Sequence, residues 1–248
     1  MINASVYIIC KNEEKHIKRV LESIKDFNEI IIVDSGSIDN TLEIAKNYTK
    51  NIYHQDWMGF AKQKEYARSL CSNEWVLNLD ADEELTNELK NEIIKTINEN
   101  KIDGLNIKIS SLYLGKFNNE KSKFNRRIRF FRKNLGYYPE KLVHESIVVN
   151  GKIKKAKSFI YDYGTIDLKT HLDKINAYSS LRAEEKFKKN KRNSLLKLLF
   201  VFPLSFFKSY IIKRGFLNGT RGFIAAVNNS FYAFLKEAKL YELWNKQQ

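Results

Sequence analysis

Ile30-Ile31-Ile32-Val33-Asp34-Ser35-Gly36-Ser37-Ile38-Asp39-Asn40-Thr41 and Trp75-Val76-Leu77-Asn78-Leu79-Asp80-Ala81-Asp82-Glu83-Glu84 follow one pattern, an apolar run closed by carboxylates. Short apolar runs rich in β-branched residues read as strands buried on both faces of a parallel sheet. In an open α/β sheet, ligands collect outside the carboxyl ends of the strands. Asp34, Asp80 and Asp82 are therefore expected along one edge of one sheet, although Asp34 and Asp80 lie far apart in the chain. Crowded carboxylates repel one another, so such a cluster calls for a cation or a hydroxyl-rich ligand.

The same alternation extends to either side. Strands are expected over residues 5–10, 29–34, 51–54 and 74–80, and helices over 13–25, 41–48, 60–71 and 87–98. Ile17, Val20, Leu21 and Ile24 recur at helical spacing, and Asp39 and Thr86 are placed to cap the helices that follow them. Repeated βα units predict a parallel sheet covered on both faces. Residues 104–110 and 126–132 alternate like further strands, and Asn150-Gly151 predicts a hairpin between Ile147-Val148-Val149 and Lys152-Ile153. A polar helix over 168–189 ends in the basic run Lys186, Lys188, Lys189, Lys191 and Arg192. Residues 195–212 are almost wholly apolar, interrupted by Lys197, Pro203 and Lys208. A spanning helix needs about 20 such residues, so this stretch is expected to lie on a membrane or pack in a core. A second amphipathic helix is expected over 221–239.

The chain has 248 residues, a formal net charge of +14 and a pI near 9.5. That charge implies a polyanionic partner: nucleic acid, an anionic membrane surface or phosphorylated substrates. Cys10 and Cys71 sit in apolar segments and read as buried packing residues in a reducing compartment. The N-terminus has no basic region or small-residue cleavage site, so no signal peptide is expected.

Asp80 and Asp82 at a strand end suit a divalent cation with oxygen ligands; a solvated acidic turn is the plainer alternative. Lys62, Gln63 and Lys64 fall on the helix before that strand, where a cation would meet a phosphate or simply face solvent. Strict alternation would put Arg127 and Arg129 on one strand face, as a phosphate fork or as charged protection of a sheet edge. Glu145 follows a short apolar pair and precedes a predicted strand. It is a candidate general base, or the partner of a nearby cation.

Three segments together resemble the glycosyltransferase family 2 proteins, which have the GT-A fold. They are Ile8-Ile9-Cys10-Lys11-Asn12-Glu13-Glu14, Val33-Asp34-Ser35-Gly36-Ser37-Ile38-Asp39-Asn40-Thr41 and Leu79-Asp80-Ala81-Asp82-Glu83. The resemblance implies inverting transfer of a sugar from a nucleotide-diphospho-sugar. It implies Asp34 near the nucleoside, and Asp80 and Asp82 near the diphosphate and its magnesium or manganese ion. Many members have a second aspartate where Ser35 stands. Arg129-Phe130-Phe131-Arg132-Lys133, Pro139-Glu140-Lys141-Leu142-Val143-His144-Glu145 and Gly215-Phe216-Leu217-Asn218-Gly219-Thr220-Arg221-Gly222-Phe223 look like a narrower group, the lipopolysaccharide core glycosyltransferases. That likeness implies Glu145 as the acceptor-side base.

The expected protein is thus α/β, with a GT-A, Rossmann-like, mostly parallel sheet over residues 1–190 and a membrane-associating helical region over 191–248. Its expected site comprises Glu145 as catalyst, Asp80 and Asp82 as metal ligands, and Asp34, Asp39, Lys62, Gln63, Asp80, Arg127 and Arg129 as donor-binding residues. Its expected partners are a nucleotide-sugar, a lipid-linked saccharide acceptor and the anionic inner face of the cell membrane, reached from the cytoplasm. No nucleic acid is expected. A nucleotidyltransferase of similar fold would show a glycine-rich basic loop after its first strand, where this chain has Lys11-Asn12-Glu13-Glu14. A basic nucleic-acid-binding module would account for the charge but not for three carboxylates at strand ends.

Overall fold

The computed structural model describes residues 1–139, 147–164, 167–192 and 194–246. In chain order these form β1 (Ile2–Cys10), α1 (Ile17–Ile24), β2 (Phe27–Asp34), α2 (Thr41–Lys46), β3 (Ile52–His54), α3 (Phe60–Ser69), β4 (Trp75–Asp80), β5 (Glu83–Leu85) and α4 (Asn87–Glu99). There follow β6 (Gly104–Ser111), β7 (Asn125–Arg132), β8 (Gly136–Tyr137), β9 (Val148–Val149), β10 (Ile153–Asp162), α5 (Leu168–Lys188), α6 (Leu195–Phe207) and α7 (Gly219–Asn245). The chain divides into two compact units. Met1–Ser111 and Asn125–Gly164 make the first; Leu112–Phe124 and the chain beyond residue 164 make the second.

The first unit is built on an eight-stranded sheet in the order β3-β2-β1-β4-β7-β6-β10-β5. The first four strands in that order run parallel, β7 runs against both its neighbours, and β6 and β10 are again parallel. The unbroken apolar runs are explained by burial on both faces. Ile8, Ile32, Leu77 and Leu79 join α1, α2 and α4 in one core. Tyr7, Ile9, Ile31, Val33 and Val76 join Ala67 of α3 in the other. Thr86 caps α4 as expected, its side chain accepting from the Leu89 amide at 3.2 Å.

Asn150-Gly151 makes a turn but not the expected hairpin. β9 pairs with β8, whereas β10 runs beside β6. The Asp103 carboxylate accepts from the Lys152 amide at 2.8 Å and steers the chain to β6. A Cβ at Gly151 would come within 2.6 Å of that side chain, so the close approach requires glycine.

The second unit is helical. α6 continues into a π-helical turn, Lys208–Ile212, and a 3-10 turn, Gly215–Asn218, leads into α7. The boundary expected at residue 190 falls earlier, because α5 belongs with α7. Lys239 of α7 donates to the Asn176 carbonyl at 2.7 Å and to Ser179 and Ser180 at 2.8 Å, and Lys186 of α5 pairs with Glu237 of α7.

Candidate active site

Strand register brings the expected carboxylates together. Cys10 at the end of β1 lies opposite Asp34 on one side, and Ile9 lies opposite Asp80 on the other. Beyond these strand ends lies a cavity of about 520 Å³, lined by Cys10, Glu13, Ser35, Trp57, Asp80 and Asp82 among others.

Asp34 is buried, and its side chain shapes the loop that follows it. It accepts from the Gly36 and Ser37 amides at 2.9 Å each and from the Ser37 hydroxyl at 2.5 Å. Gly36, with φ +88°, supplies the left-handed backbone that this turn needs. Asp39 accepts from the Thr41 amide at 3.0 Å and from the Glu14 amide at 3.1 Å, clamping the loop after β2 to the loop after β1. Ser37 accepts from the Asn12 amide and Thr41 from the Glu13 amide. The amides of Asn12, Glu13 and Glu14 are thus already engaged, which disfavours a phosphate-cradling loop of the nucleotidyltransferase kind. Gln63 is fully buried and donates to the Ser35 hydroxyl and the Gln55 carbonyl at 2.9 Å each. It staples one wall of the cavity.

One turn of α3 decides which lysine can act. Lys62 is exposed, whereas Lys64 is buried and donates to Asp80 Oδ1 at 2.7 Å. Arg129 is also buried. Its guanidinium reaches Asn78 Oδ1 and Asp80 Oδ2 at 2.5 Å each, and Glu83 Oε1 at 2.6 Å. A β-bulge puts it there. Ile128 pairs with Asn106 and Phe130 with Leu105, so Arg129 is the unpaired extra residue of β7. The bulge breaks the expected alternation. Arg127 lies opposite Ile107 and is exposed, so the two arginines do not share a face.

This network sets the charge of the site. Burial disfavours ionised Asp80, but Arg129 and Lys64 outweigh it and hold the carboxyl well below the usual carboxylate range. Burial pushes Glu83 upward despite the attraction of Arg129. Both Asp80 oxygens already accept charged donors, so Asp80 does not stand open as the metal ligand expected of it. Besides Glu13, which also lines it, the cavity is faced by Asp82. Burial, then Asp162, Asp80 and Glu83, push it up to about 7. Asp162 is itself held by the Ser111 hydroxyl at 2.8 Å and the Gly164 amide at 2.9 Å. A Cβ at Gly164 would fall 1.9 Å from Asp82 Oδ2, so the glycine preserves the space that this oxygen occupies.

Among the described residues, no three His, Cys, Asp or Glu side chains form a ready metal cluster. A carboxylate oxygen kept clear by glycine and crowded by like charges nevertheless fits a hard cation bound at Asp82, with further ligands from a phosphate. One consequence concerns the metal-free protein. An aspartate raised in the folded state favours folding through its protonated form. That advantage is complete below the ordinary value near 4 and is lost as pH rises through about 7. Asp82→Asn should therefore raise the melting temperature by several degrees at pH 8, on the order of 1–3 kcal/mol, and change it little at pH 4. Manganese should stabilise wild type at pH 8 and leave the variant unmoved. Equal manganese stabilisation of both would place the cation elsewhere.

Glu145, with His144, lies outside the described residues. Trp57 and Phe60 were not anticipated from the sequence. Their rings meet edge to face at 4.7 Å beside the cavity, and both are about half exposed. The signal available was two aromatics bracketing Gly59 just before a helix. Cys10 and Cys71 are free, buried thiols, as expected. Burial pushes both upward in pKa, Cys71 to about 12, which suits packing and not nucleophilic chemistry.

A mixed sheet with this strand order, carrying a cavity and an Asp-x-Asp turn at its parallel strand ends, defines a GT-A glycosyltransferase architecture. Residues 5–150 match the family description "Glycosyl transferase family 2", and the chain belongs to that family. It is 35% identical to an uncharacterized glycosyltransferase of Rickettsia typhi, the match covering 98% of this chain and 88% of that protein. It is 32% identical to the lipopolysaccharide core biosynthesis glycosyltransferase LpsC of Rhizobium meliloti, covering 96% and 92% respectively. In fold it is similar to residues 1–349 of S. aureus TarS, solved in complex with UDP-GlcNAc. There the TM-score is 0.52 at 17% identity, covering 99% of this chain and 92% of that one.

Proposed function

We propose that the protein transfers a sugar from a nucleotide-diphospho-sugar to a lipid-linked glycan of the lipopolysaccharide or lipooligosaccharide core type, with inversion at the anomeric carbon. It would work in the cytoplasm, at the inner face of the cell membrane. The observation that carries the donor half is an open carboxylate, Asp82, two positions after Asp80, whose own oxygens are held by the buried cations Lys64 and Arg129. Asp82 would hold a magnesium or manganese ion whose charge offsets the leaving diphosphate. Lys64 and Arg129 fix Asp80 beside that position. Trp57 and Phe60 offer an aromatic surface for a nucleoside base or sugar ring. The likeness to LpsC supports the acceptor class.

On the acceptor side, Glu145 takes the proton of the attacking hydroxyl. The oxygen of that hydroxyl bonds to the anomeric carbon as the carbon–oxygen bond to the diphosphate breaks on the opposite face. The nucleoside diphosphate leaves with the bonding electrons, and the configuration inverts.

A panel of nucleotide-sugars screened by thermal shift, with and without manganese, tests the donor. A ligand at 100 times its dissociation constant stabilises by about 2.7 kcal/mol. At least one nucleotide-sugar is expected to reach that range in manganese and to be hydrolysed slowly or transferred. If none shifts the protein while RNA binds it at physiological salt, the transferase reading is wrong and the positive charge serves nucleic acid.

A further inference from the structure

Glu237 lies in α7 and is only 2% exposed. It gathers two lysines from neighbouring helices. Lys186 of α5 donates to Oε1, and Lys197 of α6, its side chain still 54% exposed, lies 3.4 Å from Oε2. Lys197 is the one charged residue in the sequence of α6. The remaining outward side chains of that helix are apolar. Leu195, Leu196, Leu199, Phe200, Leu204 and Phe207 are between 53% and 70% exposed. Their spacing follows one helical stripe, which Ile211 and Ile212 continue for a total of about 24 Å. The opposite side of the helix is already used. Phe206 and Tyr210 meet Phe223 of α7 edge to face, with ring centroids 5.6 and 5.9 Å apart. The segment Leu195–Ile212 has a mean hydropathy of 1.7, and none of it is buried.

Exposed cations stand at both ends of this stripe. Lys188, Lys189, Lys191 and Arg192 precede it, Lys213 and Arg214 close it, and Lys208 is exposed within its last turns. We propose that this face is a monotopic platform for an anionic phospholipid surface, and that Glu237 pairs with Lys197 at the margin of that face. An apolar stripe with cations at its ends matches an interfacial helix, which sinks its side chains to the acyl boundary while cations stay at headgroup level. Lys186, part of the same basic run, is turned inward to Glu237 instead. A span across the bilayer does not fit. It would carry α7, bound along α6, into hydrocarbon with Lys236, Glu237 and Lys239 in its middle. The platform deepens the reading of a protein that works at a membrane, and it stands apart from the transfer chemistry.

Flotation with vesicles of phosphatidylglycerol and phosphatidylethanolamine tests it, with phosphatidylcholine vesicles as the neutral control. Wild type should float with the anionic vesicles at low salt and be stripped from them by carbonate at pH 11. Leu199→Glu with Leu204→Glu should weaken partitioning more than tenfold, with the melting temperature held within a few degrees. Charge reversal of Lys188, Lys189, Lys191 and Arg192 should weaken it on the order of fivefold per residue. Lys197→Met separates the two roles of a lysine. One that met headgroups would weaken binding when neutralised, whereas this one should leave binding unchanged or tighten it. Indifference of wild type to anionic vesicles, resistance to carbonate, or weaker binding by Lys197→Met would each overturn the proposal. Donor stabilisation measured on the same samples keeps the outcomes apart. Lost flotation with an intact nucleotide-sugar shift sinks the platform alone, and the reverse sinks only the donor reading.

Discussion

Arg129→Met is expected to lower the melting temperature by roughly 10 °C at pH 7.5. The side chain is 4% exposed and bridges Asp80 and Glu83, so its removal leaves one buried carboxylate, Glu83, and one partly buried, Asp80, with Lys64 as their nearest described counter-charge. Breaking a buried pair by deleting one partner costs about 3–5 kcal/mol, and each kcal/mol is worth roughly 2–4 °C in a chain of this size. The pH dependence has a definite sign. In wild type, Asp80 is held below its ordinary value, so its contribution to stability is present above about 4 and lost as pH falls further. In the variant the carboxylates lose their cation and favour the protonated form, so the deficit should shrink as pH is lowered from 7.5 towards 5. Adding Glu83→Gln should recover part of the loss. Thermal denaturation at the two pH values reads all of this. A loss of less than about 2 °C at pH 7.5 would mean that Arg129 is not the keystone of the network.

Glu145→Gln should leave nucleotide-sugar binding within a few-fold of wild type and lower turnover by ~10²–10⁴, the usual worth of a positioned general base. The substitution keeps the shape of the side chain and removes its basicity. Binding is read by thermal shift and turnover by release of the nucleoside diphosphate in the presence of acceptor. Near-normal turnover would move the proton acceptor to another carboxylate. Glu83 would then be a poor substitute, because Arg129 engages it and it is only 3% exposed.

Most of the first sheet could be read from the chain. Runs such as Ile30-Ile31-Ile32-Val33 are apolar without alternation because both faces are covered, and an acidic turn at the end of such a run lands where ligands collect. Thr86, Asp34, Asp80 and Asp82 were accessible for that reason. Three features were not. The bulge at Arg129 is a property of the pairing with β6 and leaves no mark in local alternation, so Arg127 was wrongly grouped with it. Lys64 and not Lys62 faces Asp80, because the phase of α3 is set by Gly59 and by the packing of Ala67, and the helix is too polar to show that phase in its sequence. The Asn150-Gly151 signal marked a turn correctly, but the partner of a strand is chosen by long-range contacts, and β6 took β10.

The place of β7 has a consequence for the order in which the molecule comes into being. β1, β2 and β4, with the loops that shape the cavity, are complete by about residue 85, yet one edge of β4 is satisfied only when residues 125–132 arrive. The same late strand brings the cation that settles Asp80 and Glu83. A ribosome that has finished the strands around the cavity has therefore not finished the charge network beside it. For some forty residues of synthesis the nascent chain carries an open sheet edge beside acid that Lys64 only partly balances, a state that favours pairing with a foreign strand. β7 closes the edge and neutralises the charge together, so the sheet becomes safe from pairing only as its site becomes competent.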